Sequence, residues 1–196
     1  HINEDEPVCF LRDQDAGGAY IKTYLQDKSI IKYPEKYIHT PPSHPYEYLV
    51  EIIKQKRWDN IRIGVEMDSH YFTATCFEKL LTGLNRATFH DSERLVNWVR
   101  IVKSDAEIKI MRQVGKISAD AHKKAMQAAP LCEYEYQLQA KLNYELMMNG
   151  CLEVAYGSIV AAGANACILH YTDNNDVINN DDLILIDAGG ELENYA

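Results

Sequence analysis

The feature that most constrains this chain is the tetrapeptide Ser104-Asp105-Ala106-Glu107 together with the apolar stripe on its C-terminal side. Ser-x-x-Glu is a capping box: the serine oxygen accepts from a free backbone amide of the first helical turn, and the glutamate reaches back to the amide of the cap residue. A long helix is therefore expected to start here. Ala106, Ile110, Val114, Ile117, Ala121 and Ala125 recur every three or four residues, giving one core-facing stripe until Pro130 ends the pattern. A second helix is expected from about Glu133 to Asn149, with Leu138, Leu142 and Leu146 aligned and Gly150 suited to its C-terminal cap. After Gly150 the pattern changes to strands, "GSIVAAG", "CILHY" and "DLILID", separated by polar turns "TDNND" and "NNDD".

Upstream of the capping box, short apolar runs alternate with helical patterns. "PVCFL" and "IRIGVEM" read as strands, "DAGGAYIKTYLQD" as a short helix, and "HPYEYLVEIIKQKRW" as a helix with Tyr48, Leu49, Ile52 and Ile53 on one face. "HYFTATCFEKLLTGL" is a further amphipathic helix, and the Pro-rich "HTPPSHP" an exposed loop. This alternation predicts an α/β domain over 1–102, with "ATFHDSERLVNWVRIVKSDAE" as the link to a second domain over 103–196. No internal repeat or low-complexity tract is present.

Charge and cysteine content narrow the function classes. A formal net charge of −9, with scattered basic residues, excludes a nucleic-acid footprint. Five cysteines, an odd number without CxxC spacing, fit reduced thiols in the cytoplasm better than a disulfide framework or a zinc ribbon. No apolar run approaches the roughly 18 residues that span a bilayer, so no membrane partner is expected, and His1-Ile-Asn-Glu-Asp-Glu lacks the pattern of a signal peptide. Both ends are expected to be cut, because the chain starts on His1 and stops on Ala196 just after an incoming strand.

Few residues are candidates for chemistry. Asp187 ends the run "LILID", where strand geometry aims its side chain opposite to Ile186 and Gly189 permits a tight turn beside it. It is either a turn-capping residue or a ligand for a cation, and a divalent site needs three or more converging donors. His170 in "CILHYT" is either a structural histidine or a hydrogen-bond donor and proton carrier near neutral pH. Tyr156 in "VAYGSIVAAG" reads as a core aromatic or a pocket wall, with core favoured. "AAGANA" and "DAGG" lack phosphate-cradling spacing, and Ser104, Ser158 and Cys167 sit in no nucleophile motif. His70 and the pair His39/His44 read as surface histidines, and "EYEY" at 133–136 as a helix start with one solvated face.

Taken together, "KSDAEIKIMRQVGKISADAH", "AYGSIVAAGANACILHYTDN" and "NDDLILIDAGGELENYA" resemble the proline-specific metallopeptidases of the pita-bread fold, the group that includes bacterial Xaa-Pro aminopeptidases. The resemblance runs from Lys103 to Ala196. "QDAGGAYIKTYL", "HPYEYLVEIIKQKRW" and "IRIGVEMDSHYFTATCFEKL" resemble the creatinase/prolidase N-terminal domain, nearer to its ectoine hydrolase type. The resemblance implies an α/β creatinase-like domain followed by the first part of an α+β pita-bread catalytic domain. It also implies a dinuclear centre of divalent metal ions, usually Mn2+, with Asp187 as first ligand and the other ligands beyond Ala196. By the same resemblance His170 is catalytic and lines the substrate pocket; Tyr156, if a pocket wall, is a second substrate-binding candidate. The implied reaction is removal of the first residue from peptides with proline second, by a homo-oligomer (dimer or tetramer). The alternatives are an Xaa-Pro dipeptidase, a small-molecule amidohydrolase of the ectoine hydrolase or creatinase type, or an inactive binding module. These 196 residues alone are expected to be inactive.

Overall fold

The computed structural model describes residues 7–38 and 41–196, so the opening hexapeptide, His39 and the first residues of "HTPPSHP" lie outside the described residues. The chain divides into two compact units, with the boundary between Val99 and Arg100.

In the first unit, β1 (Cys9–Arg12) pairs in parallel with β2 (Ile30–Tyr33), the crossover being α1 (Ala16–Lys22) flanked by two short 3-10 turns. Further along, β3 (Arg62–Val65) pairs in parallel with β4 (Thr88–Asp91), and the crossover is α3 (Ala74–Gly83). Ahead of β3 runs α2 (Pro45–Gln55), whose start is fixed three ways. Pro45 occupies the first turn, where no amide is needed; His44 Nδ1 accepts from Tyr46 N at 3.2 Å; and Glu47 reaches back to His44 N. The core gathers Val50, Val65, Leu80 and Leu84, with Ile63, Phe77 and Phe89 packed against it. Gly83 is required by the α2–α3 contact, since a Cβ there would sit 2.6 Å from Val50 Cγ1. "ATFHDSERLVNWVRI" holds the boundary between the units but is not an irregular connection: its first part is β4, and α4 (Leu95–Ile101), within which the boundary falls, comes next. Its alternating apolar and polar residues are a strand pattern, and the partner that makes them a strand, β3, lies more than twenty residues upstream.

The second unit is built as the capping box requires. α5 (Asp105–Ala128) starts with Ser104 Oγ accepting from Glu107 N and Glu107 Oε2 accepting from Ser104 N at 2.6 Å. Ala106 is exposed, so the buried stripe begins further along and is anchored by Val114, Ala121 and Ala125. α6 (Glu135–Met148) packs on α5 through Leu138, Leu142 and Leu146, each at most 1% exposed, and Gly150 ends it at φ 96°. Small alanines on one helix against leucines on the other allow a close approach. Four short strands complete the unit: β5 (Glu153–Val154), β6 (Ile159–Ala162), β7 (Ile184–Asp187) and β8 (Gly190–Glu191). β6 pairs antiparallel with β7, Ile159 opposite Asp187 and Ala162 opposite Ile184, and β5 pairs antiparallel with β8.

"CILHY" is not a strand. It forms the end of a 3-10 turn (Gly163–Cys167) and an open turn in which His170 has φ 56°. The reason lies at the edge of β6. Val160 N donates to Asn174 Oδ1 at 2.9 Å, Ser158 O accepts from Asn174 Nδ2 at 2.8 Å, and Ala162 N donates to Glu135 Oε1 at 2.7 Å. Two buried side chains thus satisfy the backbone groups on the edge of β6 away from β7, so the loop joining β6 to β7 need not be extended.

Candidate functional site

The strand β7 carries Asp187 to its C-terminal end, with Ile186 turned toward the core and the Asp187 carboxylate exposed. Asp187 does not cap the turn after it. Its hydrogen-bond partner among the described residues is Tyr156, whose Oη donates to Oδ1 at 2.7 Å, and Oδ2 is left open. The phenol is delivered by β5 and its neighbours: Val154 lies opposite Gly190, and Ala155 N donates to Gly189 O at 2.9 Å, which sets the next residue beside Asp187. Tyr156 is 49% exposed and therefore not a core aromatic. The hydrogen bond to the Asp187 carboxylate, helped by partial burial, raises the pKa of the phenol, so the hydroxyl stays a donor at neutral pH.

The turn after Asp187 is tied to the helical layer. Gly190 N donates to Ser118 Oγ on α5 at 3.1 Å, and a Cβ on Gly190 would lie 2.8 Å from Cys151 Sγ. Only glycine lets the chain pass so close to the core there. Nearby, Tyr195 Oη donates to Glu107 Oε1 at 2.8 Å, joining the chain end to the first turn of α5.

His170 is exposed and makes no hydrogen bond to Tyr156 or Asp187 among the described residues. Its loop nevertheless returns to them. The loop leaves β6 at Ala162, the end opposite Ile184, and Asn174 then lies against Ser158 and Val160, which flank the residue opposite Asp187. The carriers of Tyr156, Asp187 and His170 are therefore one small antiparallel assembly.

A residue outside the expected set dominates the interior. Glu135 is 0% exposed, whereas "EYEY" reads as a solvated helix start. Its Oε1 accepts from Ala162 N at 2.7 Å and Asn165 Nδ2 at 3.2 Å, and its Oε2 from Tyr171 Oη at 2.7 Å and Asp176 N at 3.0 Å. Burial by itself would raise its pKa; the donors, Ala162 N foremost, outweigh that and hold the carboxyl below its ordinary value. One signal is present in the sequence: Glu135 stands three residues before Leu138 on the buried stripe of α6.

Of the other candidates, Ser104 is a helix cap, Ser158 is buried, and all five cysteines are free thiols. His44 caps α2, and His70 packs edge-on against Tyr71 at the surface. Among the described residues no group of three or more His, Cys, Asp or Glu converges as a metal site, and no helix is long and apolar enough to cross a membrane. The Asp187 carboxylate, rigid, exposed and with one free oxygen, fits a cation as a single ligand.

Residues 109–196 match Metallopeptidase family M24, and residues 1–102 match the Creatinase/Prolidase N-terminal domain. The ectoine hydrolase of Halomonas elongata is 39% identical over 125 residues, which are 63% of this chain and 31% of that protein. The Xaa-Pro aminopeptidase of Haemophilus influenzae is 40% identical over 115 residues, 59% of this chain and 27% of that protein. Among solved structures, proline aminopeptidase P II from Yersinia pestis superposes with a TM-score of 0.68 at 27% identity, covering 95% of this chain and 44% of its own. The chain spans about a third of the length of the curated relatives it matches.

Proposed function

Because the chain belongs to the family that joins a creatinase/prolidase N-terminal domain to an M24 metallopeptidase domain, we propose that the whole protein is a metal-dependent Xaa-Pro aminopeptidase. Its fold is accordingly a creatinase-type α/β domain followed by part of a pita-bread catalytic domain. The observation that carries the reading is the Asp187 carboxylate, which ends a strand and, among the described residues, is oriented by Tyr156 alone, with Oδ2 open.

In this reading Asp187 is the first ligand of a pair of divalent cations, Mn2+ by preference, and the other ligands come from outside these 196 residues. When bound, such a pair supplies a water of lowered pKa and a Lewis acid for the scissile carbonyl. The residues of this chain do the orienting. Tyr156 keeps one Asp187 oxygen occupied, which fixes the carboxylate rotamer and borders the pocket. His170, exposed on the loop between β6 and β7, donates a hydrogen bond to the oxygen that gains charge at the scissile carbonyl. The substrate is a peptide with proline second. The free thiols support a cytoplasmic setting, and a homo-oligomer is part of the same family reading.

A second reading, hydrolysis of a cyclic amidine such as ectoine, is supported by an identity to the Halomonas enzyme of 39%, close to the 40% to the aminopeptidase. Assaying the product of the complete gene with Mn2+ on an Xaa-Pro-Xaa peptide and on ectoine separates the two. Turnover of the peptide is expected; turnover of ectoine alone would replace the first reading by the second. Residues 1–196 by themselves are expected to be inactive and to bind Mn2+ weakly, and calorimetry showing tight binding of two ions would overturn the ligand assignment.

A further inference from the structure

We propose that Glu135 is a positioning residue for the reaction at the Asp187 site, holding the 163–178 loop, and with it His170, through the four hydrogen bonds its buried carboxylate accepts. The inference rests on the reading of His170 as a substrate-facing donor.

The donors come from both sides of His170. Ala162 and Asn165 precede it, and Tyr171 and Asp176 come after it, so one carboxylate closes the loop on itself. Backbone pairing repeats the closure: Glu135 N donates to Asp176 O at 3.0 Å and Ile178 N donates to Glu133 O at 2.9 Å. Glu135 is also the first residue of α6, where the free amides and the helix dipole favour an anion. Between these anchors His170 sits at φ 56°, a left-handed conformation that a non-glycine residue keeps only where its surroundings impose it. Tyr171 supplies the imposition, since the residue next to His170 is 9% exposed and its hydroxyl ends on Glu135 Oε2.

The chemistry requires a carboxylate rather than any polar group. All four partners are donors, so both oxygens must accept. Glu135→Gln keeps the shape but turns one acceptor into an amide N–H that faces either Ala162 N or Asp176 N.

The test uses the product of the complete gene with Mn2+, and Glu135→Gln, His170→Ala, the double variant and Tyr171→Phe. Amide exchange within 163–178 is expected to rise at least about tenfold in Glu135→Gln while α5 and the rest of α6 keep their protection. With an Xaa-Pro-Xaa peptide, kcat/KM is expected to fall up to about 100-fold, mostly in kcat, as for a displaced catalytic group. Added to His170→Ala, Glu135→Gln is expected to cost nothing more, because both act through the imidazole. Additive losses, or unchanged exchange in the loop, would overturn the proposal. If Glu135→Gln does not fold, Tyr171→Phe removes one of the four bonds and is expected to show the same pattern at smaller size. If the wild-type protein turns over no proline peptide, the activity reading fails by itself, and the exchange measurement alone decides the role of Glu135.

Discussion

The two units are held together differently. The first relies on aromatic and aliphatic contact: Tyr46, Phe72, Phe77 and Phe89 form a chain of ring contacts at 5.8–6.2 Å, and its ion pairs, among them Arg12–Glu35, Lys32–Asp13 and Lys79–Glu47, stay near the surface. The second has a comparable apolar layer between α5 and α6 but also buries Glu135, Ser158 and Asn174 at the edge of β6 beneath the 163–178 loop. Apolar contact tolerates small shifts; a buried carboxylate with four donors has one satisfactory arrangement. The polar interior lies under the loop that carries His170, the proposed substrate-facing donor, and the more apolar interior lies in the unit that carries none of the candidate site residues. Stability can be distributed over many contacts, whereas the orientation of His170 cannot.

The sharpest way to break this contrast is to delete the buried acceptor. Glu135→Ala leaves buried donors without partners and is expected to cost about 3–5 kcal/mol, as when one partner of a buried network is removed. Chemical denaturation followed by exchange should show the loss confined to the second unit. A cost under about 1 kcal/mol would mean that water replaces the carboxylate and that the network is ornamental.

Next in size is a matched pair of glycine substitutions. Gly83→Ala drives a Cβ to within 2.6 Å of Val50, and Gly190→Ala to within 2.8 Å of Cys151 Sγ and 3.0 Å of Leu146 Cδ2. Each is expected to cost about 1–3 kcal/mol through overpacking, read as a fall in Tm. Only Gly190→Ala should also weaken Mn2+ binding by the complete protein, because only that turn adjoins Asp187. Equal effects on metal affinity would show that the two units are coupled.

Much of this architecture is legible in the sequence because it is local. The capping box at Ser104, the stripe through Val114, Ala121 and Ala125, and the glycine after α6 are determined within a few residues of chain. The features that escape are those that need a distant partner. Tyr156 and Asp187 are 31 residues apart, and nothing near Tyr156 distinguishes a phenol aimed at a carboxylate from a core ring. "CILHY" has the apolar content of a strand, but the edge it would have paired with is already filled by Asn174 and Glu135. Glu135 itself stands in an acidic, aromatic run that looks solvated, and its donors arrive from 27 to 41 residues away.

A smaller effect is expected from acid. Glu135 titrates below its ordinary value of 4.5, so its contribution is complete above that pH and is lost as the pH falls through the lower folded value. Glu107, held at about 2 by the Ser104 amide and hydroxyl and by Tyr195, loses its contribution between pH 4.5 and about 2. Exchange corrected for intrinsic chemistry should therefore show the 163–178 loop and the first turn of α5 opening below pH 4.5, with the apolar core around Leu142 retained. Opening of the loop above about pH 5 would mean that the carboxylate is not the group that holds it.

The smallest expected effect is Lys79→Met in the first unit. Lys79 Nζ lies 2.5 Å from Glu47 Oε1, a distance that would suggest a strong bond, and the pair ties α3 to the first turn of α2. Both side chains are partly solvated, however, at 29% and 40% exposure, so water takes over much of the stabilisation that the ammonium supplied. Glu47 keeps its reach to His44 N, and methionine preserves the packing of the lysine stem. The loss should be about 0.2–1 kcal/mol, smaller at high salt and without change in metal affinity. A loss of about 3 kcal/mol or more, comparable to Glu135→Ala, would overturn the contrast by showing that the first unit too depends on one charged contact.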